Sequence, residues 1–245
     1  MRARRRSTRA LGRPCRAGEP VPLHNARMHT GIDPAALPPD RRYALLIGAI
    51  VPRPIAVVGT CAPDGSEANL APFSFYAGVG SDPMCLMFCP ANRADGREKD
   101  SLRHAKPREE GGSGEFTVGV ATEPLIRRVV ACAEELPADQ SEFELASLTA
   151  IAGTKVRAPR FAESPITFEC RTRQVIRTNP GKPSGGNIVL GEVVWIHADP
   201  ALLDERLRID QARLQAVGRM GGLEFARTAD RFALPYGAAA LTTSA

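Results

Sequence analysis

Two long apolar-rich segments, residues 165–177 and 187–198, flank the link Asn179-Pro180-Gly181-Lys182-Pro183-Ser184-Gly185-Gly186. No other feature constrains the fold as strongly. Both segments read as long strands, and the Gly/Pro-rich link reads as a hairpin loop. Gly and Lys together would also suit a phosphate loop. The link lacks the G-x-x-x-x-G-K-[ST] order, however, and opens no helix. Upstream, strand signals recur at about 54–60, 67–79, 84–89 and 116–120, with Pro63-Asp64-Gly65 as a turn between the first two. Helical signals are few. Asp40 is a candidate N-cap for a helix to about Gly48, a short helix is expected over 98–105, and Pro124 suits the first turn of a helix running to about Ala133. Residues 31–39 read as an irregular lead-in, and 90–97 and 107–114 as loops. Residues 134–163 read as a polar, irregular crossing of the surface. Many short strands with turn punctuation imply a mainly β fold with peripheral helices, an antiparallel barrel or sandwich. Barrel closure would also remove the exposed strand edges.

The 245 residues, 43% of them hydrophobic, suffice for one sizeable core. No apolar run approaches the roughly 20 residues that a membrane-spanning helix needs. The basic start is not followed by the apolar stretch of a secretory signal. The net charge of +5 is unevenly distributed. Residues 1–27 hold eight Arg against Glu19 alone, a charge of +7, which leaves −2 for the rest. Two domains of description follow. Residues 1–27 are expected to be a disordered basic tail or a mis-called start, since Met28 directly precedes the first sequence that reads as a domain. Residues 28–245 are expected to be the folded body. The tail also has the Arg-rich, acid-poor character of a transit peptide, and basic tails can bind nucleic acid, although nucleic acid is not the partner expected here. Six cysteines (15, 61, 85, 89, 132 and 170) form no C-x-x-C pair. Cys85 and Cys89 read as small core residues on one strand face, no metal is expected, and reduced thiols suit a cytoplasmic protein. No G-x-G-x-x-G follows a strand, so a Rossmann nicotinamide domain is unsupported.

Four clusters are candidates for chemistry, each with a plain structural alternative. Arg53 and Pro54 precede a small-residue bend carrying Asn69, Ala71, Pro72, Ser74 and Phe75. The bend either edges a flat ligand or merely satisfies backbone groups. Lys99, Asp100 and Ser101 open a short helix beside Arg97 and Arg103, either as a phosphate site or as a solvated charged face. His197 ends a strand as a proton donor, a cofactor contact or a satisfied strand-end histidine. Arg219, in Gly218-Arg219-Met220-Gly221-Gly222, either clamps an anion or closes a turn.

Taken together, and in this order, these stretches resemble the flavin reductase-like family. The matching segments are Arg53-Pro54-Ile55-Ala56, Asn69-Leu70-Ala71-Pro72-Phe73-Ser74-Phe75, Lys99-Asp100-Ser101-Leu102-Arg103, Glu163-Ser164-Pro165, Gly191-Glu192-Val193 through His197, and Gly218-Arg219-Met220-Gly221-Gly222. They span about residues 40–236. The resemblance implies an FMN-binding split β-barrel, with Arg53, Pro54, Asn69, Ala71, Ser74 and Phe75 along the isoalloxazine and ribityl side. Lys99, Asp100 and Ser101 would hold the phosphate end, His197 would face flavin or nicotinamide, and Arg219 and Gly222 would lie near the site. Phe225 stands where many relatives carry Tyr.

The implied activity is NAD(P)H-dependent flavin reduction, with NADH or NADPH as donor. Reduced flavin could pass to a partner monooxygenase, and a homodimer would place the site at the subunit boundary. Two alternatives stay open: a flavin-binding electron carrier or redox sensor, and a substrate-specific flavoenzyme on the same barrel. Hydride transfer between bound rings needs orientation and a suitable field more than acid–base side chains, which fits the lack of a hydrolytic triad.

Overall fold

The computed structural model describes residues 29–137 and 140–242. The basic tail, with Cys15, lies outside the described residues. Residues 29–38 belong to a short N-terminal unit whose one regular feature is a 3-10 turn, Pro34–Ala36. Asp33 caps that turn, its carboxylate accepting from Ala35 N at 2.9 Å.

The body, from Pro39 onward, has five short α-helices and twelve strands among its described residues. The helices are α1 Pro39–Ala49, α2 Asp100–Ala105, α3 Ile126–Ala131, α4 Glu142–Leu145 and α5 Gln211–Leu214. The strands are β1 Arg53–Pro54, β2 Ala56–Thr60, β3 Asn69–Phe73, β4 Tyr76–Ser81, β5 Met84–Phe88, β6 Glu115–Val120, β7 Ala150–Ile151, β8 Arg160–Phe161, β9 Ile166–Arg177, β10 Asn187–Ala198, β11 Val217–Arg219 and β12 Phe225–Arg227. Seven strands form one antiparallel sheet in the order β3-β2-β6-β9-β10-β5-β4, and β1-β11-β12 form a second.

The order of the large sheet dictates its shape. Its two edges, β3 and β4, are consecutive in the chain and joined by Ser74 and Phe75 alone. A flat seven-stranded sheet would separate its edges by about 29 Å at ~4.8 Å per strand. Three residue steps from Phe73 to Tyr76 reach only about 10 Å. The sheet must therefore curl until its edges meet. They meet without pairing, so the barrel is split along this seam. Beside the seam the Phe73 and Phe88 ring centres lie 5.2 Å apart, and Cys89 N donates to Phe75 O at 2.8 Å.

Alternation along the strands supplies two cores. Inside the barrel, Ala56, Val58, Leu86, Phe88, Phe116, Val118, Cys170 and Val189 are joined by Leu102 and Ala105 of α2. On the outer face, Val57 and Leu70 pack with Val129, Phe143, Leu148 and Phe161. Gly119 permits this second layer, because a Cβ there would stand 2.3 Å from a Phe161 ring carbon.

The long β9–β10 hairpin forms as the sequence implies, with two register shifts. Other expectations need correction. The strand expected over 67–79 is two strands, broken at Ser74-Phe75, because the chain turns the seam there. Asp40 lies inside the first turn of α1, which Pro39 opens. Pro124 opens a 3-10 turn, Glu123–Leu125, ahead of the shorter α3. Residues 134–163 are not merely a polar crossing, since Phe143, Leu148 and Phe161 are core residues. Cys85 and Cys89 are half-buried, on the strand face opposite the core residues Leu86 and Phe88.

Phe88 is fully buried between Phe73 and Phe116, whose ring centre is 5.1 Å away. Phe88→Ala is expected to lower unfolding stability by about 3–5 kcal/mol through the cavity it leaves, read from denaturant melts.

Candidate functional site

Arg53 organises the seam. It is buried, on β1 opposite Arg219 of β11. Its Nε donates to Ser74 Oγ at 3.2 Å, one terminal nitrogen to the carbonyls of Ile47 (2.6 Å) and Ile50 (2.8 Å), and the other to Met220 O at 2.9 Å. The Ile47 and Ile50 carbonyls belong to the end of α1, where backbone acceptors lack helical partners and the helix dipole favours a cation. The guanidinium also lies 5.9 Å from the centre of the Phe75 ring, which meets Tyr43 edge-on at 6.5 Å. Arg53 therefore shapes the corner between the edge strands while its donors are engaged within the protein. Pro54 is exposed beside it, and Ala71, Ser74 and Phe75 are half-buried along the bend.

A cleft of about 670 Å³ opens at the start of α2, lined by Asn69, Arg93, Asp100, Arg103, His104 and Glu142 among others. Asn69 is its polar anchor. The Asn69 amide donates to Thr60 Oγ1 at 3.2 Å and to Ser101 Oγ at 3.0 Å, tying β2, β3 and α2 together. Lys99 caps α2 through its backbone carbonyl, which accepts from Leu102 N and Arg103 N. Its ammonium is 3.9 Å from Glu135.

Asp100 accepts from Arg93 at 2.7 Å and from Arg103 at 2.9 Å, and Arg103 also reaches Glu67 at 2.8 Å. Burial alone would raise the Asp100 carboxyl, but Arg103 and Arg93 outweigh it and hold it below its ordinary value. Burial raises Glu142, whose Oε2 accepts from Leu70 N at 3.4 Å. The buried His104 lies between Thr60 and Glu67, each 3.4 Å from a ring nitrogen. Burial, and then the Arg103 charge, depress its basicity.

Of the expected site residues only Asn69 and Asp100 line this cleft; Lys99, Ser101, His197 and Arg219 do not. His197 Nε2 is 2.6 Å from Glu169 Oε1 on the outer face of the β9–β10 ladder. Arg219 donates to Gly222 O at 2.6 Å and lies 4.5 Å from the Phe225 ring centre, which closes the β11–β12 turn. Gly222 takes φ +59°, the left-handed region that favours glycine.

Sequence reasoning did not single out Arg93, His104, Glu142 or Glu169. Glu169 carried a usable signal, a carboxylate inside the strand Ile166-Thr167-Phe168-Glu169-Cys170, since such a group is buried only with partners. Arg93 and Glu142 lie in segments without periodicity and carried none.

The donor set fits a phosphorylated, flat cofactor. Arg93 and Arg103 in the cleft, and Lys99 at the start of α2, can exchange carboxylate partners for a phosphate, and Phe75 and Tyr43 offer ring surface at the corner.

The architecture is that of the split-barrel proteins. The flavin reductase like domain model matches residues 48–218, and the chain belongs to that family. It is 37% identical over 212 residues to an uncharacterized protein of Deinococcus radiodurans, covering 84% of this chain and 89% of that one. Among solved structures it resembles nitrilotriacetate monooxygenase component B from Bacillus cereus, at 29% identity and a TM-score of 0.78, over 85% of this chain and 100% of that one. It also resembles a 2-nitrobenzoate 2-nitroreductase of Pseudomonas fluorescens, at 28% identity and a TM-score of 0.72, over 85% and 97% of the two chains.

Two outcomes follow from this geometry. Arg53→Lys keeps the charge but not the fork, and leaves buried carbonyls without donors. It is expected to cost about 2–4 kcal/mol in a denaturant melt. Because His104 binds its proton less readily in the folded chain than at its ordinary value of 6.5, the unfolded chain holds more protons in the interval below that value. Stability should therefore fall as pH drops below about 6.5, and His104→Gln should reduce the loss between about pH 7 and 5.

Proposed function

We propose that this protein is an FMN-binding, NAD(P)H-dependent flavin reductase. The observation that carries the reading is the cleft at the start of α2, where Arg93 and Arg103 are held by Asp100 and Asn69 ties β3 to α2, in a chain of this family. Bound FMN supplies the redox chemistry, accepting a hydride from the nicotinamide and passing electrons on. Lys99, Asp100 and Ser101 bind the phosphate end, with Asp100 holding Arg93 and Arg103 in place. Arg53, Pro54, Asn69, Ala71, Ser74, Phe75 and Gly222 shape the isoalloxazine and ribityl side. His197 and Arg219 contact flavin or nicotinamide. Arg53 beside the isoalloxazine side favours the extra negative charge of the reduced state.

The protein works as a cytoplasmic homodimer with the site at the subunit boundary. The exposed Tyr43, Leu45 and Leu46 of α1, with Ile50 just after it, supply apolar surface for a second copy. The likeness to a monooxygenase component supports delivery of reduced flavin to a separate monooxygenase. The likeness to a nitroreductase supports a second reading, direct reduction of a small organic acceptor.

An absorbance spectrum of the purified protein, followed by NADH and NADPH oxidation with and without FMN, tests the reading. Flavin bands that bleach on nicotinamide addition are expected. Bleaching that turns over only with a nitroaromatic present would favour the second reading, and a flavin that nicotinamide leaves oxidised would sink both in favour of a carrier. Replacing Lys99 and Ser101 together with Ala should weaken FMN binding by about tenfold or more, as loss of charge-assisted hydrogen bonds implies. Riboflavin, which lacks the phosphate, should bind as before; equal losses for both flavins would remove the phosphate role.

A further inference from the structure

Outside the cleft, the carboxylate of Glu169 is fully partnered. It is fully buried on β9, opposite Trp195 of β10. A carboxylate this deep persists only with donors around it. Glu169 has four: the backbone N–H groups of Thr154 (2.6 Å), Lys155 (2.5 Å) and Val156 (3.2 Å), and the Nε2 of His197 (2.6 Å). The loop that supplies the backbone donors is closely packed, since a Cβ on Gly153 would stand 2.5 Å from Val156 O and 3.3 Å from Glu169 Cδ. Burial raises the Glu169 carboxyl, but these donors outweigh it and hold it below its ordinary value. An ionised carboxylate only accepts, so the nitrogen facing it must carry the hydrogen.

We propose that Glu169 is a positioning residue that fixes the His197 ring with Nε2 protonated and turned inward, so that Nδ1 is the nitrogen offered to the nicotinamide. The ligand in this statement rests on the flavin reductase reading, whereas the ring orientation does not. A carboxylate behind a histidine sets the tautomer and aims the opposite nitrogen. The same carboxylate holds the loop bearing Lys155, whose ammonium lies 5.3 Å from the centre of the Trp195 ring, and that ring meets His197 edge-on at 6.5 Å. Glu169 thus fixes two sides of one partly exposed surface, His197 directly and Lys155 through its backbone.

The test is imidazole nitrogen NMR on the full chain labelled with 15N-histidine, at a pH where the ring is neutral, with His197 assigned from His197→Gln. The expected spectrum shows His197 protonated at Nε2, and an Nδ1-protonated ring would overturn the proposal. Glu169→Gln should release the tautomer and raise KM for the nicotinamide by about tenfold, with a smaller change in kcat and no change in FMN affinity. Glu169→Asp, which retains the acceptor, should restore part of the loss. An unchanged tautomer in Glu169→Gln, or a changed tautomer with an unchanged KM, counts against the proposal. If Glu169→Gln does not fold, the wild-type spectrum decides the ring orientation alone. If the protein oxidises no nicotinamide, the flavin reductase reading fails while the spectrum still decides the role of Glu169.

Discussion

The buried guanidinium of Arg53 is the interaction on which the split barrel depends. Burying a cation costs several kcal/mol unless acceptors replace its water. Here they are the carbonyls of Ile47, Ile50 and Met220 and the hydroxyl of Ser74. They come from three parts of the fold: the C-terminal end of α1 and the residue after it, the corner between the edge strands, and the residue following β11. One side chain thereby sets the spacing of three elements that no sheet ladder connects to one another directly. The motif's arginine is a structural residue by its hydrogen bonds.

The cleft beside α2 follows a different logic. Its arginines are paired with carboxylates at its rim, and Asp100 accepts from two of them. Without an anion these pairs keep the cations in place at little net gain, because exposed pairs contribute little to stability. A phosphate would enter by partner exchange and would not have to organise free side chains.

The fold was largely legible in the sequence where periodicity and turn chemistry agreed. The β9–β10 hairpin, the Pro63-Asp64-Gly65 turn and β6 stand where they were expected. The break at Ser74-Phe75 was not legible, because an extended corner keeps strand-like residues and only barrel closure forces the turn. The outer core was missed for a related reason: Phe143, Leu148 and Phe161 are scattered through polar sequence and meet only in three dimensions. Site residues within contiguous motifs, such as Asn69 with Ser101, do come together. His197 engages Glu169 instead, a cross-strand contact that neighbouring sequence does not encode, while Arg219 closes its own turn onto Gly222, the plainer of its two sequence readings.

The seam also has a consequence in time. Strands β4 and β5 form a local hairpin, and β9 and β10 form another. Joining the two requires β5 to find β10, with Cys85 opposite Glu192, more than a hundred positions away along the chain. Closing so large a loop is entropically costly before its contacts form, and proteins dominated by such distant pairings fold in roughly milliseconds to seconds rather than microseconds. Until that step, both hairpins expose an unpaired edge. During synthesis that edge exists for as long as β10 is still unmade, so this is the interval in which the nascent chain is most open to pairing with the wrong strand.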